Sequence, residues 1–247
     1  MKLIRAILLI CSISTYAQNP ENLLNRNINP SLLSNFDTLL FYTSINIIAT
    51  SFGLHESEIG TAFKLKKHQF QSSITQYGYK SFKESRLTIS SVQKLSKSIN
   101  IGLALNYNHI YISDSPNYNA ISFDLGLGIK RERLELYVLL QNPYNSSYLE
   151  NDIESRFSLN TRYYWNENLS SELNVVESLH TGLSINHRIT YNYLNTLQLG
   201  IIQGVKPFEY GFILGYKKKK IKIFSQYYKY SFTHSTGFLL IYTLGDA

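Results

Sequence analysis

The strongest constraint on this chain is an alternation of apolar and polar residues with a period of two. In residues 99–108, an apolar side chain at every odd position alternates with Asn, Gly or Ala at every even position. Residues 121–130 repeat the pattern in the same phase. Successive side chains of a β-strand point to opposite faces, whereas the apolar residues of a helix recur at a period near 3.6. The pattern therefore predicts strands with one apolar face and one face filled mainly by small, uncharged groups.

Fourteen segments of this kind can be placed along the chain. The predicted strands are 38–49, 58–66, 69–78, 85–93, 99–108, 121–130, 133–140, 155–165, 169–177, 180–189, 193–203, 208–217, 219–229 and 232–244. Most have about the length that a tilted strand needs to cross hydrocarbon, and an even strand number is typical of bacterial single-chain barrels. We predict an all-β fold, a transmembrane antiparallel barrel of about 14 strands over residues 37–247. Twelve strands is the alternative count.

The N-terminus has the pattern of a secretory signal peptide. Two basic residues precede an apolar core, and Thr15 and Ala17 stand where signal peptidase requires small residues, which predicts a signal peptide over residues 1–17. Residues 18–36 then form a short N-terminal segment before the barrel. The only cysteine, Cys11, lies in the signal peptide and follows Ile10 rather than a small residue, so lipidation is the disfavoured alternative.

The composition favours a membrane barrel over a soluble β-sandwich. The chain has 20 Tyr and 13 Phe but only 17% charged residues. Tyrosine suits a bilayer interface, since its ring lies among acyl chains while its hydroxyl reaches the headgroups. A soluble antiparallel sandwich stays the alternative, because its short strands also alternate. With the secretion signal, the composition predicts the outer membrane of a Gram-negative bacterium.

Charged residues favour one orientation of the barrel. If the N-terminus is periplasmic, the predicted periplasmic turns are strongly basic, and the most basic contains Lys217, Lys218, Lys219 and Lys220. The opposite turns, among them Glu56–Glu58, hold most of the acidic groups. Anionic phospholipid headgroups attract Lys and Arg. We therefore predict outer-membrane lipid as the partner of the basic turn. A nucleic-acid site is disfavoured, although the net charge is +7, because no stacking module or helix accompanies the lysines.

Three short motifs carry a family resemblance. They are Asn29-Pro30-Ser31-Leu32-Leu33 before the first strand, Leu140-Gln141-Asn142-Pro143-Tyr144-Asn145 at a strand exit, and Leu199-Gly200-Ile201 followed by Pro207-Phe208 and Tyr210-Gly211-Phe212. Together they resemble the PorV/PorQ group of outer-membrane proteins, which is similar in fold to the long-chain fatty-acid transporter barrels. The resemblance implies a fourteen-stranded barrel that takes part in type IX protein secretion or a related surface assembly. The chain departs from this family in its short length and in lacking a C-terminal aromatic residue.

The sequence offers few residues for catalysis, and we predict no enzyme, no cofactor and no metal site. No histidine pair has the HExxH spacing. Two serine–histidine sets suggest a remote alternative, an outer-membrane lipid hydrolase: His109 with Ser113 and Asp114, and Ser184 with His187. Residues four apart on a strand are separated by about 13 Å, and Ser184 and His187 differ in parity. We expect neither set to assemble.

Two functional hypotheses remain. In the first, the barrel is a non-enzymatic accessory or structural subunit that binds other outer-membrane or periplasmic proteins of a secretion or assembly complex. In the second, it transports hydrophobic small molecules. The N-terminal segment then acts as a plug through Leu23, Leu24, Asn29, Pro30, Leu32 and Leu33.

Overall fold

A computed structural model describes residues 39–49, 53–66, 68–144, 146–148, 151–153, 155–178, 182–194, 196–206, 208–218, 220–229 and 234–244. Its strands are β1 (Leu39–Ala49), β2 (Leu54–Leu65), β3 (His68–Tyr79), β4 (Phe82–Lys94), β5 (Ile99–Ile112), β6 (Tyr118–Arg131), β7 (Leu134–Gln141), β8 (Ser147–Tyr148), β9 (Asn151–Asp152), β10 (Arg156–Tyr164), β11 (Leu169–Ser178), β12 (Gly182–Tyr193), β13 (Leu197–Lys206), β14 (Phe208–Lys218), β15 (Ile221–Lys229) and β16 (His234–Leu244). No helix in these ranges is long and apolar enough to cross a membrane.

Fourteen of the strands form one closed antiparallel barrel, and β8 and β9 form a separate small hairpin. Neighbours in the chain are neighbours in the sheet, β7 pairs with β10, and β1 closes the barrel against β16. Leu39 pairs with Leu244 at the closure, so both ends of the barrel chain lie on one side. We call this side the terminal end and the other side the loop end. The closure makes the sandwich and the twelve-strand count wrong.

The predicted alternation is confirmed along the barrel wall. On β5, the outward residues Ile101, Leu103 and Leu105 are 45%, 51% and 53% exposed, whereas the inward Ala104 and Asn106 are 2% exposed. Large apolar side chains are also exposed on the outer face of the other barrel strands. Such a surface is suited to lipid, because a transmembrane barrel presents an apolar band outward.

Exposed aromatic residues lie near both ends of the outer surface. Tyr163, Trp165, Tyr193 and Tyr216 lie toward the terminal end, and Tyr111, Phe208 and Tyr210 toward the loop end. The Tyr163 and Trp165 rings meet edge to face with centroids 5.0 Å apart, and the Trp165 indole donates to the Ser171 hydroxyl at 3.1 Å. This is the arrangement that the tyrosine content of the sequence predicts.

Several predicted strands are too short, among them β2 and β12, because the alternation extends further than we expected. Strand β2 begins at Leu54, so Glu56 and Glu58 lie inside a strand rather than in a turn. Strand β12 continues to Tyr193, because Tyr191 and Tyr193 still alternate outward with Thr190 and Asn192 inward. The chain then turns at Leu194, which has a φ of 47°.

The longest connection between barrel strands, residues 142–155, lies at the loop end and is organised by Asn142. The Asn142 side-chain amide donates to the Ile153 carbonyl at 2.7 Å, and its Oδ1 accepts from the Ser146 backbone N–H at 2.9 Å. The Ser155 hydroxyl donates to the Asn142 carbonyl at 2.6 Å. One polar residue thereby holds both ends of the loop that contains β8 and β9.

Candidate functional site

The side chains that face the lumen divide it into two regions, which we call the apolar wall and the charged wall. The apolar wall is a packed cluster of buried residues from β1, β2, β4 and β13–β16: Leu40, Tyr42, Ala62, Val92, Ile202, Ile213, Phe224, Tyr228, Leu239 and Ile241. The charged wall comprises Lys130, Glu135, Arg162, Tyr164, Glu172 and Arg188 on β6, β7 and β10–β12. These are the regions of the lumen in which a site has to be sought.

Glycines allow aromatic rings to lie flat on the apolar wall. A Cβ added to Gly60 would lie 2.5 Å from Cζ of Tyr42, and one added to Gly211 would lie 2.9 Å from Cδ1 of Tyr228. Each ring therefore covers a glycine of the neighbouring strand, as the register of Tyr42 with Gly60 and of Tyr228 with Gly211 shows. The hydroxyl of Tyr42 also accepts a hydrogen bond from Nε2 of Gln71. The wall can thus bury large rings close to the sheet.

The charged wall is a ladder of alternating charges on adjacent strands. Lys130 pairs in register with Glu135, Glu135 with Arg162, Arg162 with Glu172, and Glu172 with Arg188. Oppositely charged cross-strand neighbours attract, and here every step of the ladder alternates in sign. The ladder ends in a positive residue on each side, so it carries one positive charge in excess.

Glu172 is the centre of the ladder. Its Oε2 accepts from Nη2 of Arg162 at 2.5 Å and from Nη2 of Arg188 at 2.6 Å. Its Oε1 accepts from the Asn160 amide at 2.6 Å. Lys130 Nζ lies 2.5 Å from Oε1 of Glu135. Because the side chains of Glu172 and both arginines are at most 7% exposed, each charge depends on its partners for stabilisation.

A second polar network links the lumen to the long loop. Asp124 on β6 accepts from the Asn106 amide at 2.9 Å and from the Asn142 backbone N–H at 3.2 Å. Asn106 in turn accepts from the Thr88 hydroxyl at 2.8 Å. The network links β4, β5 and β6 to the residue that organises the loop, so a continuous chain of hydrogen bonds runs from the lumen to the loop.

The described part of the predicted basic turn lies at the terminal end. Lys217 and Lys218 end β14 and Lys220 precedes β15, whereas Lys219 lies outside the described residues. Lys217 faces inward and its Nζ lies 3.4 Å from Oδ1 of Asn192, while Lys218 is exposed. The predicted plug residues Leu23, Leu24, Asn29, Pro30, Leu32 and Leu33 also lie outside the described residues.

The two serine–histidine sets do not form an active-site arrangement. Nδ1 of His109 is 2.7 Å from Oδ1 of Asn119, and the Ser113 hydroxyl donates to its neighbour Asp114 at 3.2 Å. Ser184 and His187 have opposite parity on β12, as expected. Within the described ranges, no group of three or more His, Cys, Asp or Glu side chains is placed to hold a metal ion.

The charged wall is the feature that the sequence analysis missed. We expected small, uncharged residues on the lumen side, which is correct for most of β5 but wrong for β7 and β10–β12. The signal was present in the parity of Glu135, Arg162, Glu172 and Arg188, each of which is followed by an outward apolar or aromatic residue. Only the pairing of strands shows that these four residues are consecutive in one row.

A groove of about 520 Å³ lies on the outer surface of β12–β16. Leu199, Ile201, Phe212 and Leu214, all outward-facing and at least half exposed, form much of its lining. It is therefore part of the lipid-facing surface and not of the lumen.

No protein-family model matches the sequence, and no curated protein sequence matches it significantly. Solved structures do match the fold. The toluene transporter TbuX of Ralstonia pickettii is 10% identical, with a TM-score of 0.65 over 91% of this chain and 94% of that chain. A FadL homologue of Pseudomonas aeruginosa is also 10% identical, with a TM-score of 0.62 over 92% of this chain and 93% of that chain. The toluene transporter TodX of Pseudomonas putida is 10% identical, with a TM-score of 0.61 over 91% of this chain and 92% of that chain.

The chain has an outer-membrane β-barrel fold. At this level of identity the likeness establishes the fold alone. The part of the sequence resemblance that concerns a fatty-acid-transporter-like barrel is thereby confirmed, whereas the assignment to the PorV/PorQ group stays a prediction.

Proposed function

We propose that this protein is an outer-membrane channel for hydrophobic small molecules. The observation that carries the proposal is the apolar wall, since the lumen of a water-filled barrel is polar. Ten buried residues, including Ile213, Phe224 and Leu239, form one packed apolar cluster on the inner side of the barrel. Apolar surface of this kind favours contact with apolar solutes over water.

The similar structures support the same function. They include two toluene transporters and a protein described as a monoaromatic hydrocarbon channel. We further propose that residues 18–36 act as the plug of this channel, with Leu23, Leu24, Leu32 and Leu33 against the apolar wall. No contact of the described residues favours the accessory role in type IX secretion, which remains a prediction from the sequence.

Uptake of radiolabelled naphthalene by a Gram-negative host tests the function. Cells that express the protein are expected to take up naphthalene faster than cells without it. Leu239→Asn places a polar group in the apolar wall and should lower uptake toward that of cells without the protein. The matched control is Asn186→Leu on β12, which lies outside the apolar wall and should leave uptake unchanged.

Two results would contradict the channel. Wild-type cells that take up naphthalene no faster than cells without the protein would show that the barrel does not transport it. If secretion proteins copurify with the barrel in stoichiometric amounts from cells that show no such uptake, the result favours the accessory subunit instead. Deletion of residues 18–36 should raise uptake if they form a plug, and an unchanged rate would remove that part of the proposal.

We also propose that the terminal end faces the periplasm. Exposed basic residues, among them Lys66, Lys94, Lys97, Arg133 and Lys218, ring this end, and anionic phospholipid headgroups attract them. The acidic Glu56 and Glu58 face the lumen and so do not contribute to the opposite rim.

Cysteine labelling tests this orientation. Cys11 lies in the predicted signal peptide, so Ser147→Cys and Lys218→Cys each introduce one cysteine into the mature chain. We expect a membrane-impermeant maleimide to label the first on intact cells and the second only after permeabilisation. The reverse labelling pattern would show that the terminal end faces the outside of the cell.

A further inference from the structure

Three neighbouring side chains on the lumen side are buried and have hydrogen-bonding atoms without a partner among the described residues. Asn46 on β1 is 2% exposed, and neither Oδ1 nor Nδ2 has a partner among the described residues. Oε1 of Gln226 on β15, 4% exposed, and the hydroxyl of Ser235 on β16, 1% exposed, also have no partner among the described residues. Buried polar atoms in proteins nearly always have a partner, so three such groups together indicate a place where a ligand supplies one.

These side chains lie around a single glycine. Gly237 on β16 is the register partner of both Asn46 on β1 and Gln226 on β15. A Cβ added to Gly237 would lie 2.5 Å from Nε2 and 2.8 Å from Cγ of Gln226. The Gln226 side chain therefore crosses Gly237 toward Asn46, and Ser235 is the next lumen-facing residue of the same strand. We call Asn46, Gln226 and Ser235 the polar subsite.

The polar subsite borders the apolar wall. Ile213 is the register partner of Gln226, and Phe224 precedes Gln226 by two residues on the same face. Leu239 follows Gly237 by two residues in the same way. A bound molecule that reaches the subsite thus rests its apolar body on Ile213, Phe224 and Leu239.

The available atoms suit an uncharged hydroxyl group. Oδ1 of Asn46 and Oε1 of Gln226 accept hydrogen bonds, Nδ2 of Asn46 donates one, and the Ser235 hydroxyl does both. A hydroxyl both donates and accepts, so it can pair with more than one of these atoms. An anionic group is disfavoured, because Glu56 is the direct cross-strand neighbour of Asn46 and Glu58 follows on the same face.

We propose that the polar subsite binds the hydroxyl group of an otherwise apolar molecule, such as a phenol or an alcohol. This inference rests on the proposed channel function, since it specifies which hydrophobic molecules the lumen prefers. The channel then discriminates by one hydrogen-bonding group at the border of its apolar wall. Pure hydrocarbons still bind, but they leave the subsite unpaired.

Equilibrium dialysis of the purified full chain in detergent tests the proposal with three probes of one shape: naphthalene, 2-naphthol and 2-naphthoate. At neutral pH, 2-naphthol should bind roughly threefold to tenfold more tightly than naphthalene, which is what a net hydrogen bond contributes. The anionic 2-naphthoate should bind more weakly than 2-naphthol. Asn46→Leu and Gln226→Met should each reduce the advantage of 2-naphthol and leave naphthalene binding intact.

Naphthalene binding by each variant also serves as the test that it is folded. Asn186→Leu is the matched control, because Asn186 is another buried, lumen-facing Asn with an unpartnered Oδ1 but lies outside the subsite. It should keep the preference for 2-naphthol. If the wild-type protein binds naphthalene and 2-naphthol with equal affinity, or binds 2-naphthoate most tightly, the proposed polar subsite is wrong. Neither result contradicts the channel function. If wild-type protein binds none of the three probes, the channel function itself fails.

Discussion

The apolar wall and the charged wall belong to one closed sheet and follow one alternation, yet they are stabilised in different ways. Their outward residues are alike, since both walls face lipid on that side. Inward, the apolar wall packs side chains such as Leu40 and Ile241, which are 0% exposed, mainly through apolar contacts. The charged wall instead orders Arg162, Glu172 and Arg188 through hydrogen bonds of 2.5 to 3.0 Å.

This difference shows how the two faces of a barrel strand are constrained. The bilayer favours apolar outward residues, so the outer face is more uniformly apolar than the lumen side. The lumen imposes no single chemistry, and the inward residues differ from one part of the barrel to another. Each wall should therefore be sensitive to a different kind of substitution: loss of a charge in one, and added volume in the other.

Glu172→Gln should give the largest effect, because it leaves two buried guanidinium groups without their shared carboxylate. Removal of one partner from a buried ion pair costs about 3–5 kcal/mol. We expect a loss of this size in the free energy of unfolding, measured by urea titration of the purified barrel in detergent. Glu177→Gln on the same strand is the control, since Glu177 is exposed and faces outward, and it should change stability by less than about 0.5 kcal/mol. Similar losses for both variants would mean that the ladder is not stabilised as the geometry indicates.

Much of the fold follows from the sequence because the bilayer makes the outer pattern simple. The odd-numbered residues Ile99 to Tyr107 alone determine the orientation of every side chain in that stretch of β5. The errors arise where the pattern is weaker. Glu56 looked like a turn residue because charged residues usually mark turns, but in a barrel a buried lumen position can also hold a carboxylate.

Less of the candidate site follows from the sequence, since it depends on which strands are adjacent. Arg162 and Glu172 are ten residues apart, and Tyr42 and Gly60 are eighteen apart. Neither pair is recognisable until the register is known, because a shift of one residue turns each side chain to the other face. Asn46 and Gln226 lie at opposite ends of the chain and come together only through the closure of β1 on β16.

Gly211→Ala should give an intermediate effect, in the apolar wall. The added Cβ would lie 2.7 Å from the Tyr227 carbonyl oxygen and 2.9 Å from the Tyr228 ring, so both the backbone and the ring must shift. Overpacking of this kind costs about 1–3 kcal/mol. The comparison variant is Gly200→Ala, whose Cβ would have the Ile213 side chain as its nearest neighbour, at 3.2 Å. The same urea titration should rank the loss for Gly211→Ala above that for Gly200→Ala, and the reverse order would contradict the packing of the ring on glycine.

The smallest net effect is expected when the centre of the charged wall is made apolar, by the triple variant Arg162→Met, Glu172→Leu and Arg188→Met. Replacement of a whole buried ion triad by apolar residues of similar size is often neutral, because the desolvation of three charges is removed together with their attraction. Here the Asn160 amide loses its acceptor Oε1, which costs about 1 kcal/mol. The triple variant should thus be distinctly more stable in urea than Glu172→Gln and close to the wild type. If the triple variant is as unstable as Glu172→Gln, the intact ladder contributes net stability to the barrel. The two walls would then differ in the size of their contribution to stability as well as in the kind of interaction that provides it.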